Sequence, residues 1–164
     1  MRAALRGDTA GVDWLFGEHW PAAYRAAWLI VRDEAAAEDI AQEGFLAALR
    51  ALDRFDRARP FGPWLRTIVA RRAIDAARAR ALRREVGDEP LAAVVAREDI
   101  DAPALADDVL AAVAALPDDQ RIPIALRHLL GFTPGEIAEL LDLPRGTVNS
   151  RLRRGLDALS EALT

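Results

Sequence analysis

The sequence predicts an all-α protein built as two small helical domains, and three observations predict it. Apolar residues recur every three or four positions rather than alternating as they do along a strand, in a 164-residue chain that is 52% hydrophobic. That period is lost once, over residues 86–105, where Gly87, Pro90 and Pro103 interrupt the chain. Charge is also segregated: residues 54–84 hold ten arginines against Asp56 and Asp75, a balance of +8. Residues 86–105 hold Asp88, Glu89, Glu98, Asp99 and Asp101 against Arg97, a balance of −4. The expected organisation is a basic domain over 1–85, an acidic linker over 86–105 and a second basic-faced domain over 106–164.

Composition narrows the function. All 22 basic residues are arginine, whose planar fork grips phosphate and guanine edges with paired hydrogen bonds. The formal net charge of −4 does not oppose a nucleic-acid partner, because distribution and not total decides that. Without cysteine there is neither a disulfide nor a thiolate metal site, which fits a reducing compartment. The first residues lack the apolar run of a signal peptide, and no window approaches the roughly 20 apolar residues of a membrane span. A soluble, cytoplasmic protein is expected.

Taken in order, residues 9–31 carry Trp14, Leu15, Trp20, Tyr24, Ala27, Trp28 and Val31 near helical spacing, with a joint expected at Trp20-Pro21. Large aromatics so spaced usually fill a core, and His19 has no second histidine or cysteine near it. Asp33 is placed to cap a helix reaching about residue 52, with Glu34, Glu38 and Asp39 near its positive end. Ala37, Ile40, Ala41, Gly44, Phe45, Ala48, Leu49 and Leu52 form its buried side. Asp39, Gln42, Glu43, Leu46 and Arg50 line the opposite one, where a leucine among carboxylates suits partner docking or a plain solvated face.

Two prolines and a glycine predict a loop over 55–64. Its arginines, Arg57 and Arg59, and its aromatics suit single-stranded nucleic acid, with Phe55 and Trp64 expected in the core rather than stacking. A helix over 65–85 follows, with Leu65, Ile68, Val69, Ala73, Ile74, Ala77 and Leu82 inward. Arg66, Arg71, Arg72, Arg78, Arg80, Arg83 and Arg84 crowd its remaining surface, with Asp75 among them. So many like charges on one helix repel unless an anion neutralises them, and phosphate is the expected anion.

The second domain opens with a helix ending at Leu116-Pro117, and Asp118 is placed to cap the next, which runs to Gly131. Thr133-Pro134-Gly135-Glu136 is a capping box with proline at the first helical position. Asp142-Leu143-Pro144 ends that short helix, and another follows over 145–163. Val148, Leu152, Leu156 and Leu159 are expected to form its buried stripe. Its outer surface carries Arg145, Thr147, Asn149, Ser150, Arg151, Arg153 and Arg154, with no acidic residue between Leu143 and Leu156. Short helix, tight turn and cationic second helix is the helix-turn-helix arrangement, whose second helix enters the DNA major groove.

These residues together resemble a group 4, extracytoplasmic-function (ECF) sigma factor of the sigma-70 family. Ala37-Glu38-Asp39-Ile40-Ala41-Gln42-Glu43-Gly44-Phe45-Leu46 is similar to the clamp-binding helix of region 2. Phe55-Asp56 with Pro60-Phe61-Gly62-Pro63-Trp64-Leu65 is similar to its melting loop, and Ala73-Ile74-Asp75 with Arg78 to the helix that follows. Leu116-Pro117, Gly131, Glu136-Ile137-Ala138 and Gly146-Thr147-Val148-Asn149-Ser150-Arg151-Leu152 resemble region 4.

The resemblance implies a protein that binds core RNA polymerase, directs it to a promoter and helps open the duplex, without a cofactor and without being an enzyme. Asp39, Gln42, Glu43 and Leu46 would dock the clamp helices of the largest subunit. Arg57, Arg59, Phe61, Arg71, Arg72, Asp75 and Arg78 would contact and melt the −10 element. Arg145, Thr147, Asn149, Ser150, Arg151 and Arg154 would read or clamp the −35 element. The polymerase flap region and an anti-sigma factor are further implied partners. Arg72 stands where the family often has asparagine and Asn149 where it often has lysine. Pro123 replaces a residue that could donate its N–H, and is expected to shift a helix start. A stand-alone helix-turn-helix regulator would explain the C-terminal helices but leave the first domain unaccounted for. An enzyme would need a phosphate loop, nucleophilic triad, histidine pair or carboxylate cluster, and the sequence shows none.

Overall fold

The computed structural model describes residues 8–87 and 104–164, so residues 88–103 of the expected acidic linker lie outside the described residues. The described residues are helical with turns between, and they divide after Pro90 into two compact units.

The N-terminal unit is a bundle of α1 (Thr9–Val31), α2 (Glu34–Arg50) and α3 (Phe61–Glu85). Asp8 starts α1 by accepting the Ala10 N–H at 3.1 Å. The joint expected at Trp20-Pro21 does not form, and α1 runs unbroken through Pro21. Pro21 and Gly17, whose carbonyl loses its donor, are both exposed, so water can take the vacated bond. α1 ends at Arg32, which turns left-handed (φ +57°) and lays its guanidinium 3.8 Å from the Trp28 ring centroid.

Asp33 caps α2 by accepting the Ala36 N–H at 2.9 Å, as its position predicts. Ala37, Ile40, Ala41, Gly44, Phe45, Ala48 and Leu52 are buried, with Leu49 half-buried. Gly44 allows α2 to lie directly on α3, because a Cβ there would fall 2.6 Å from Val69 Cγ2. α3 begins at Phe61, not at 65, so the loop is shorter than expected. Pro63 is compatible with this start because it occupies the first turn, where no intrahelical acceptor awaits its missing N–H. Beyond Arg80 every described residue of α3 is exposed, and Leu82, expected inward, is 63% exposed on this projecting end.

The C-terminal unit contains α4 (Ala104–Ala115), α5 (Asp118–Ile124, continued by a π turn over Ala125–Leu129), α6 (Pro134–Leu141) and α7 (Arg145–Ala162). Pro117 and not Asp118 occupies the N-cap of α5, and Asp118 instead accepts a hydrogen bond from Arg121 at 2.6 Å. Pro123 does not displace the helix start; the irregularity lies at the other end of the helix. There the Leu130 N–H reaches the Ala125 carbonyl at 2.9 Å, one residue wider than an α turn. Gly131 closes the helix with φ +75°, and the Phe132 N–H donates to the Leu126 carbonyl at 2.9 Å.

Candidate nucleic-acid and polymerase interfaces

In the C-terminal unit, the orientation of α6 is set by its capping box. The Glu136 N–H donates to Thr133 Oγ1 at 3.3 Å while Glu136 Oε2 accepts the Thr133 N–H at 2.7 Å. Ile137, Leu140 and Leu141 are buried. Asp142 then turns left-handed (φ +52°), and the Leu143 N–H donates to the Ala138 carbonyl at 3.0 Å. Two residues later α7 begins, with Pro144 as its N-cap. This tight connection is the turn of a helix-turn-helix.

α7 buries Val148, Leu152, Gly155 and Leu159. Leu156, expected in that stripe, is 46% exposed. Gly155 takes its place because α5 presses on it: a Cβ there would lie 2.7 Å from Ile124 Cγ1. A glycine carries no hydrophobic signal, so an apolar-spacing argument passes over it. Arg145, Asn149, Ser150, Arg153 and Arg154 are exposed, and Thr147 and Arg151 are half-buried at the edge of the same surface. Arg154 is not free of protein charge, since its Nη2 lies 3.5 Å from Asp119 Oδ2 of α5.

In the N-terminal unit, Arg57 and Arg59 are exposed on the α2–α3 loop. Asp56 shapes that loop by accepting the Ala58 N–H at 3.0 Å and pairing with Arg59 at 3.7 Å. Beneath it lies an aromatic cluster in which Phe61 stands 5.9 Å from Phe55 and 5.7 Å from Trp64. Phe61 itself is only 4% exposed, its ring bracing the loop from below. Arg71, Asp75 and Arg78 are exposed at i, i+4 and i+7 along α3, with Arg72 half-buried beside them. Arg80 departs from the expected cationic face. It is half-buried and lies 3.9 Å from the capping carboxylate of Asp33, joining α3 to the α1–α2 corner. Asp39, Gln42, Glu43, Leu46 and Arg50 are all exposed along α2, and Leu46 exposes 44% of its surface.

His19 sits at the foot of the loop, its ring centroid 5.0 Å from that of Phe61 and its Nδ1 facing Gly62. Burial lowers its pKa below the ordinary histidine value, with Glu18 pulling the other way. Among the described residues no group of three or more histidine, cysteine, aspartate or glutamate side chains is placed to hold a metal ion.

Residues 15–83 match the family model Sigma-70 region 2, and residues 106–159 match Sigma-70, region 4. The chain is 32% identical over 153 residues to the ECF RNA polymerase sigma factor SigW of Bacillus subtilis, covering 85% of this chain and 82% of that protein. The chain belongs to the ECF sigma factors. This ECF sigma factor is also 34% identical to the RNA polymerase sigma factor CarQ of Myxococcus xanthus, over 91% of this chain and 87% of the relative. Among solved structures it is similar to the sigma factor RpoE of Bartonella quintana in complex with the anti-sigma factor NepR. That match has a TM-score of 0.68 and 26% identity, and covers 92% of this chain and 95% of the other. CnrH in complex with the cytosolic domain of CnrY is similar at a TM-score of 0.61 and 28% identity, over 99% and 93% of the two chains. Region 2 thus corresponds to the three-helix unit and region 4 to the helix-turn-helix unit of this ECF sigma factor. Among its described residues no helix is long and apolar enough to cross a membrane.

Proposed function

We propose that this ECF sigma factor acts in the cytoplasm as a promoter-specificity subunit of RNA polymerase: it binds the core enzyme, recognises −35 and −10 elements and helps melt the duplex. One observation carries the reading. Within a single chain, one unit pairs a carboxylate-and-leucine strip on α2 with exposed arginines on α3, and the other holds an acid-free cationic stretch on a helix-turn-helix. A regulator acting without polymerase has no use for the first pairing.

In this reading Asp39, Gln42, Glu43 and Leu46 engage the clamp helices. The charged groups select and orient the partner, while Leu46 supplies apolar burial at the centre of the contact. Arg57 and Arg59 guide the separated strand by charge, and Arg71, Asp75 and Arg78 approach the −10 element along one line of α3. α7 lies in the −35 major groove, with Asn149, Ser150 and Arg151 able to reach base edges and Arg145, Thr147 and Arg154 able to hold phosphates. Residues 88–103 join the two units in sequence. No step calls for a catalytic centre in this chain; the bond-forming chemistry belongs to the polymerase. The similar sigma factor RpoE of Bartonella quintana has been co-crystallised with the anti-sigma factor NepR, which supports control of this chain by such a partner.

The test is in vitro transcription from genomic fragments with core polymerase. Transcripts that start only when this chain is added are expected. Failure to co-elute with core polymerase, together with no transcript, would overturn the reading.

A further inference from the structure

The contact between Arg154 and Asp119 has consequences for DNA binding. Asp119 stands in the first turn of α5 and Arg154 on the outer side of α7, 35 residues away in sequence. The two helices meet closely at the next residue along each, since a Cβ at Gly155 would lie 2.7 Å from Ile124 Cγ1 and 3.6 Å from Gln120 Cβ. That packing holds the first turn of α5 against the cationic helix. Asp118, the neighbouring carboxylate, already accepts from Arg121 at 2.6 Å. Asp119 is the one whose Oδ2 meets Arg154 Nη2, at 3.5 Å, with both side chains about half exposed.

We propose that Asp119 competes with the DNA backbone for Arg154 and so weakens the sequence-independent part of DNA binding. This rests on the assignment of α7 as a DNA-contacting helix. An exposed ion pair is weak, so duplex phosphates can take the guanidinium from it. When they do, the Asp119 carboxylate is left unpaired beside the anionic backbone. Two effects follow from its charge. Repulsion between the carboxylate and phosphate lowers affinity for every DNA sequence alike. Ion release is also curtailed: Arg154 frees a condensed cation from the duplex, but the abandoned carboxylate recruits one back, so the net contribution of Arg154 to the salt dependence is small.

The experiment is a double-mutant cycle with the full-length chain and a short mixed-sequence duplex, titrated between about 50 and 200 mM salt. Asp119→Asn is expected to tighten binding roughly two- to fivefold, in line with exposed ion pairs, and to steepen the log–log salt slope by up to ~0.9. Arg154→Ala is expected to abolish the steepening of the slope by Asp119→Asn and to shrink its tightening to the part that carboxylate–phosphate repulsion alone supplies. An unchanged affinity and slope in Asp119→Asn would overturn the proposal, as would equal tightening in the Arg154→Ala background, which would mark a general charge effect. A wild-type chain that bound no duplex at any salt would remove the assignment of α7 and this proposal together. Thermal melting of each variant separates these outcomes from loss of fold.

Discussion

Gly155 of α7 packs against Ile124 of α5 so closely that an added Cβ would fall 2.7 Å from Ile124 Cγ1 and 3.2 Å from Cδ1. Gly155→Ala would gain roughly 1 kcal/mol of helix propensity, but overpacking typically costs about 1–3 kcal/mol. Because the clash is with Cγ1, close to the Ile124 backbone, overpacking is expected to win. The variant should unfold in urea with a C-terminal transition about 1 kcal/mol less stable than wild type. A stabilised transition would show that α5 can retreat from α7.

Arg151 tests how α7 meets DNA. Arg151→Ala is expected to weaken promoter binding by about 1–3 kcal/mol and to relax the preference at one base position. Binding to a panel of singly substituted −35 sequences gives the readout. A uniform loss across the panel would make Arg151 a phosphate contact instead.

The strip on α2 can be tested apart from DNA. Glu43 and Leu46 are exposed and make no contribution to the buried side of α2, so Glu43→Arg and Leu46→Ala should leave thermal stability within about 0.5 kcal/mol of wild type. Both should reduce co-elution with core polymerase, the charge reversal more strongly at low salt. Undiminished co-elution of the double variant would place the polymerase contact elsewhere.

His19 should make the N-terminal unit sensitive to mild acid. Burial lowers its folded pKa below the ordinary 6.5, so between those two values the unfolded chain binds more protons than the folded one. The stability contributed by neutral His19 is therefore complete above pH 6.5, declines as pH falls toward the folded pKa and levels off below it. Melting temperatures of wild type and His19→Gln, measured across this range, should diverge in slope on the acid side of pH 6.5. Parallel curves would show that other groups set the acid response.

Much of this architecture was legible because it depends on local chemistry. The Asp33 cap, the Thr133–Glu136 box and the left-handed Gly131 each follow from residues within a few positions of one another. The exposed strip on α2 followed from helical spacing alone, since carboxylates leave a core wherever apolar neighbours can fill it. The misplaced details were those in which a distant helix decides. Proline chemistry predicts breaks at Pro21 and Pro63, yet both stand inside helices, one in the middle of α1 and the other in the first turn of α3. Packing against Phe55 and Trp64 also buries Phe61, which spacing along the chain does not specify.

The sequence by itself determined the helical class, the two-unit division, the segregated charge and the order of motifs, because periodicity, capping and charge are properties of neighbouring residues. Only the tertiary structure decided which side chains stay available for a partner. Arg80 is drawn to Asp33, Arg154 to Asp119, and Leu156 yields its inward place to Gly155 beneath Ile124. Each outcome is set by which helix lies opposite, and long-range packing fixes that through close contact of whole surfaces, not through any spacing along the chain.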